Sequence, residues 1–306
     1  MGENGERIQS GECTGHEGAV WQAAWAHPQF GSLVATCGYD ARVLVFRESA
    51  SVQQGVPSTW VRVYAFEGHK ASGEFCYFHF HSVFYHSFTP LTFFPLSQPT
   101  HPPTHPPTYV VNSVAWAPPE FGLQLAAASA DGRVSILTHR EDDTWDVVTF
   151  SDCPMGCNAV SWAPYSSAAP LRRIAVAGCD GNVRLHCAEG GGPWVNEEQP
   201  LSVSAEWVRD VAWCPAGLAL SASAAADALL FAACADDGRV TFFRQTPGSR
   251  EWAVSYLPAF KAPVWKVSWS VTGRLLAVSC GDNTVTVWKE DVSGSTWQQV
   301  SSVPIA

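Results

Sequence analysis

Charge is scarce in this sequence: Asp, Glu, Lys and Arg make up only 15% of its 306 residues. Eighteen basic side chains stand against 28 acidic ones, for a formal charge of −10. A nucleic-acid binder needs a basic surface, so this balance argues against phosphate binding unless the charge is very unevenly distributed. A glycine-rich phosphate loop and a nucleophile elbow are also missing. Cys153-x-x-x-Cys157 is the only tight cysteine pair, with no second pair to complete a tetrahedral metal set. No catalytic, cofactor or metal residue is therefore expected, and the chain does not read as an enzyme. The opening residues MGENGERIQSG carry no apolar run, which speaks against a leader or anchor. Glu6 stands where a myristoylation signal wants Ser or Thr. The one uncharged stretch of membrane-spanning length, Phe75 to Leu96, holds His79, His81, His86, Pro90 and Pro95, which are costly or disruptive in lipid.

What is present is enough apolar surface for a core, at 46%, together with 24 Gly, 21 Pro and 14 Trp. The ten cysteines, without a leader, indicate a reducing compartment and free thiols, most of them small fillers inside strands. Tryptophan marks a repeat. Five segments read Val-x-x-(Val/Ala)-x-Trp or nearly so, ending at Trp25, Trp116, Trp162, Trp213 and Trp269. Each leads through an apolar run to an aspartate: Asp40, Asp131, Asp180, Asp237 and Asp282. Six residues on, a second short strand ends at Phe46, Leu137, His186, Phe243 or Trp288.

Each unit contains four period-2 segments separated by turn residues, with no helical stripe between units. Asp-Gly at 131–132, 180–181 and 237–238, and Asp282-Asn283, fit tight turns that need a left-handed residue. Recurrence assigns the five tryptophans and five aspartates structural roles. Units of about 50 residues with four strands predict an all-β, radially stacked β-propeller with five complete blades. Trp21, Asn112, Asn158, Arg209 and Trp265 stand four residues before each repeat Trp, near one rim of the channel, and Trp207 belongs to the same neighbourhood. They are candidates either for packing against adjacent loops or for direct protein contact.

Gly15-His16 and Gly68-His69 before a strand, and Trp288 closing one, resemble the signatures of the WD-repeat family. Phe46, Leu137, His186 and Phe243 stand where that family has its closing Trp, so its His–Asp network is expected to be incomplete. Phrases such as GHEGAVWQAAWAHPQFGSLVATCGYDARVLVFRE (15–48), VNSVAWAPPEFGLQLAAASADGRVSIL (111–137) and VWKVSWSVTGRLLAVSCGDNTVTVWKE (264–290) are similar to the small outer-cage subunits of coat protein complex II, which also serve in the nuclear pore scaffold.

That resemblance implies a non-enzymatic scaffold supporting endoplasmic-reticulum-to-Golgi transport, on the cytoplasmic face of the endoplasmic reticulum, on coated vesicles and at the nuclear pore. It implies an open six-bladed ring completed by a blade from a partner, either the large WD-repeat/helical outer-coat subunit or a helical scaffold nucleoporin. Nutrient-signalling complex subunits are further partners it implies; no nucleic acid and no membrane insertion are expected. On this reading Val285, Val287, Trp288, Trp297 and Val300 of the final blade lie at or near the partner edge. The alternative is a closed WD-repeat adaptor recognising a peptide or protein ligand, of ubiquitin-ligase or chromatin type.

Two departures follow. Residues 1–14 look like the remnant of the last strand of a preceding blade, so an N-terminal blade of the six is expected to be missing and 15–306 to form the propeller. Residues 73–110 lengthen one repeat. They hold seven Phe, five His, seven Pro and a single charge, and end in the disorder-prone tract QPTHPPTHPPT. Translated non-coding sequence, a lineage-specific surface loop and a metal site on His79, His81, His86, His101 and His105 are the three readings of this insert.

Overall fold

Alternating apolar and polar residues, broken every few positions by Gly, Asp, Asn or Pro, suit short antiparallel strands and little else. The computed structural model describes residues 11–49, 59–69, 110–167, 170–197, 199–215, 229–246, 248–291 and 296–304. The first sheet runs β1 (Val20–Trp25), β2 (Leu33–Gly38), β3 (Val43–Ser49), β4 (Thr59–Phe66). The second runs β5 (Val111–Trp116), β6 (Gln124–Ser129), β7 (Arg133–His139), β8 (Trp145–Ser151). The third has β9 (Cys157–Trp162), β10 (Leu171–Gly178), β11 (Asn182–Glu189), and then two short strands, β12 (Val195–Asn196) and β13 (Leu201–Ser202), both on β11. The fourth runs β14 (Val208–Trp213), β15 (Leu229–Ala235), β16 (Val240–Gln245), β17 (Ala253–Tyr256). The fifth runs β18 (Val264–Trp269), β19 (Leu275–Cys280), β20 (Thr284–Glu290), β21 (Trp297–Pro304).

This is the architecture of a WD-repeat propeller. One detail differs from the sequence expectation of four strands per unit: the outermost strand of the third sheet is split. Pro200, just before β13, has no N–H to give the ladder, and the chain leaves β11 between the two pairings.

The sheets pack face to face in chain order, with the inner strands β1, β5, β9, β14 and β18 touching in succession. Four apolar clusters fill the four junctions, and each draws on both sheets it joins. The first and fifth sheets share no comparable contact among the described residues.

The five repeat aspartates act alike. Asp40, Asp131, Asp180, Asp237 and Asp282 each accept the backbone N–H two residues on, at 3.3, 3.0, 3.3, 3.1 and 3.1 Å. Gly132, next in its turn, has φ +79°, and a Cβ there would sit 2.2 Å from the carbonyl oxygen of Cys153. Glycine is thus needed twice over: for the left-handed backbone and for the close approach of the following blade. Most of the expected insert (73–109) and most of the expected strand remnant (1–10) lie outside the described residues, as do all five histidines of the insert.

Candidate functional site

The inner strands are bonded to one another by a rule that repeats. The sixth residue of one strand, its tryptophan, donates from its indole to the carbonyl of the fifth residue of the strand before it. Trp116 bonds Ala24, Trp162 bonds Ala115 and Trp269 bonds Ala212, at 2.9, 2.9 and 3.0 Å. The third residue accepts from the fourth N–H of the next strand: Gln22 from Val114, Ser113 from Val160 and Asp210 from Val267, at 3.1, 3.3 and 3.1 Å. At the remaining junction that position is Ala159, which has no acceptor, and Ser161 instead takes the N–H of Trp213 at 3.0 Å. The indole nitrogen of Trp213 is left buried and unpartnered.

The rim candidates fall within the same system. Asn112 and Asn158 donate to the carbonyls of Cys157 and Val208 in the next strand, at 2.9 and 2.8 Å. Arg209 lies between two indoles, its guanidinium carbon 4.9 Å from the Trp207 ring and 4.8 Å from the Trp265 ring. It also grips Asp236 through Nε and Nη2, at 2.7 and 2.5 Å. Trp21 is exposed beside the start of β1. Five of the six rim candidates, all but Trp21, are therefore engaged within or between blades.

At the end of the array the rule runs out. Pairing across β18, β19 and β20 puts Ala277 opposite Val287 and Ser279 opposite Val285, on the face turned away from the fourth sheet. Leu230, Ala232, Cys234, Val240 and Phe242 occupy the corresponding row of the fourth sheet and are buried beneath the fifth. In the fifth sheet Leu275 is 37% exposed, and Ala277, Ser279, Val285 and Val287 are only half-buried. In the first sheet Trp25 is 66% exposed, whereas its equivalents Trp162 and Trp213 are buried.

The remaining edge candidates sit elsewhere, because alternate side chains in a strand point to opposite faces. Trp288 is buried on the side facing the fourth sheet, edge-on to Phe260, and donates to Thr286 Oγ1 at 2.9 Å. Trp297 stacks on Phe242 with centroids 4.1 Å apart. Val300 is exposed on the outermost strand β21.

The His–Asp pairs are present in two blades and rebuilt in a third. His16 bonds Asp40 at 2.9 Å through Nδ1 and Thr36 at 2.8 Å through Nε2. His69 bonds Asp131 at 3.0 Å, but its Nε2 is buried without a partner, because Ala127 occupies the place of Thr36. In the third sheet His186, at the closing position, bonds Asp152 at 2.5 Å. Burial alone would raise the carboxyls of Asp40 and Asp131; hydrogen bonds from backbone N–H groups and their histidines outweigh it and hold both below the usual range. Burial pushes Asp210 upward against the opposing pull of Lys266. Buried thiols are shifted the same way, Cys37 to about 12, which keeps it protonated and inert at neutral pH. Among the described residues no cluster of three or more His, Cys, Asp or Glu is placed to hold a metal ion.

The family model described as "WD domain, G-beta repeat" matches residues 7–47 and 254–289. The chain is similar to "Protein SEC13 homolog" of Drosophila melanogaster, at 34% identity over 305 residues, 95% of this chain and 70% of that protein. It is likewise similar to "Protein transport protein SEC13" of Mycosarcoma maydis, at 34% over 327 residues, 94% of this chain and 81% of that protein. The protein of that name from Coccidioides immitis is 36% identical over 299 residues, 94% of this chain and 82% of that protein.

Proposed function

The chain belongs to the SEC13 family of WD-repeat proteins, and from this premise we propose that it is a structural subunit of a vesicle coat working in protein transport. The family points to a structural or transport role, and we read the chain as having no catalytic activity of its own. It serves, on this reading, in the outer cage of endoplasmic-reticulum-derived vesicles and in the outer ring of the nuclear pore. There it stiffens a partner that contributes a further blade, and Val285 and Val287 lie at the seam. The partner is the large outer-coat subunit on vesicles and a helical nucleoporin at the pore.

The single observation that carries this reading is the half-covered row Leu275, Ala277, Val285 and Val287 on the last sheet, whose equivalents in the fourth sheet are buried by the next blade. A sheet face of that kind loses apolar hydration when another sheet covers it, at about 25 cal/mol per Å². The mechanism is mechanical: a rigid stack of sheets, once joined to a rod, limits its bending.

The test is affinity capture of the tagged full-length protein from its own cells, with peptide identification of bait and co-purifying chains. Wild type is expected to bring down a large coat subunit or a helical nucleoporin. Val285→Asp and Val287→Asp are expected to lose it with unchanged circular dichroism. Capture of ligase or chromatin subunits instead, unaffected by these changes, would overturn the scaffold reading in favour of a peptide-recognising adaptor.

A further inference from the structure

Lys266 occupies the one place in the inner belt where the bonding rule changes sign. At the third position of the inner strands stand Gln22, Ser113 and Asp210, each accepting a backbone N–H from the following blade. The fifth sheet has Lys266 there, and an ammonium has three donors and no acceptor. Its Nζ turns back to Asp210 Oδ1 at 3.0 Å, which uses one donor. The side chain remains 55% exposed on the same face as Ser279 and Val285.

A strand laid against β18 in the ordinary way would aim a backbone N–H at this ammonium, donor against donor. It would also strip water from a charge that Asp210 only partly satisfies, since that carboxylate is shared with the N–H of Val267. Of the groups a protein can offer, a carboxylate supplies the missing acceptor and the opposite charge together.

Resting on the coat-subunit reading above, we infer that the occupant of the open side is a β-strand of another chain carrying an Asp or Glu side chain that pairs with Lys266. Lys266 thereby selects which strand is accepted, while the apolar row supplies the contact area. The position is a specificity determinant: it distinguishes a strand that brings a carboxylate to this ammonium from one that brings only a backbone N–H.

Carbodiimide coupling joins an ammonium to a carboxylate in direct contact, and it can be applied to the complex captured from cells with the full chain. The expected product is a peptide pair linking Lys266 to an Asp or Glu of the co-purifying chain. Lys266→Met, checked for an unchanged melting curve, is expected to lower captured partner roughly tenfold, with Lys266→Arg restoring most of it. If Lys266 couples to Asp210 alone while Lys289, on the same face, couples to the partner, the inference is overturned and the docking face stands. If no lysine of the fifth sheet couples to any other chain, the docking reading falls and takes the inference with it.

Discussion

The indole N–H of Trp116 donates to the carbonyl oxygen of Ala24 across 2.9 Å, tying the second sheet to the first. The same bond joins Trp162 to Ala115 and Trp269 to Ala212. Trp25 has the ring but no preceding blade to receive its proton among the described residues. Trp116→Phe keeps most of the ring and removes the donor, leaving the Ala24 carbonyl short of a partner. It is expected to cost about 1 kcal/mol in urea unfolding. Trp25→Phe is expected to change stability by less than about 0.5 kcal/mol, since the side chain is largely exposed. Equal losses from both substitutions would refute the assignment of these bonds.

His69 holds Asp131 with one ring nitrogen and wastes the other. Ala127→Ser places a hydroxyl where Thr36 serves His16, at the cost of a single added oxygen. The variant is expected to be more stable by about 0.5–1.5 kcal/mol, seen as a higher urea midpoint at unchanged slope. A lower midpoint would mean that the packed site rejects the extra atom.

Asp40 and Asp131 have folded-state pKa values held below those of free carboxylates. A depressed carboxylate contributes stability that is complete above the unfolded value, about pH 4, and is lost as pH falls through the folded value. Melting temperature should therefore drop on acidification in that range. Asp131→Asn should flatten the drop, because one of the responsible groups no longer titrates. Parallel acid limbs for wild type and variant would contradict this.

Arg209 needs its planar guanidinium to lie between Trp207 and Trp265 while gripping Asp236 with two nitrogens. Lysine can supply the charge but neither the flat stack nor the fork. Arg209→Lys is expected to destabilise the junction of the fourth and fifth sheets by about 1 kcal/mol and to alter the near-ultraviolet circular dichroism of the indoles. An unchanged spectrum would show that the stack does not persist in solution.

Much of this architecture is legible in the chain itself, because the period-2 pattern, the recurrent Trp and the Asp-led turns are local signals. The sheets, their order and the turn geometry need little else. The site is less legible. Asn112 and Asn158 look like surface amides at the rim until the next strand brings the carbonyls of Cys157 and Val208 against them. His186 reads as a lost closing tryptophan, yet it meets Asp152, 34 residues earlier in the chain, through a contact that only the stacking of sheets creates. Trp288 and Val287 are neighbours in sequence and lie on opposite faces of one strand, so an edge named as a run of residues mixes core with surface. Tabulating the third residue of each inner strand could have exposed Lys266, since it alone among Gln22, Ser113, Ala159 and Asp210 carries a positive charge.

Blades that hold one another by a fixed rule carry no internal reason to stop. Under that rule the first sheet of one molecule could follow the fifth sheet of another, Trp25 donating to the carbonyl of Ser268, and copies would add head to tail without closure. Lys266 interrupts the sequence of bonds, because it would present an ammonium to the backbone N–H of Ala23. Lys266→Gln restores an acceptor, and sedimentation velocity is expected to show concentration-dependent oligomers that the wild type lacks; a strictly monomeric variant would refute this. On this reading a single donor-only side chain on the inner strand of the fifth sheet keeps the sheets of separate molecules from adding one to the next.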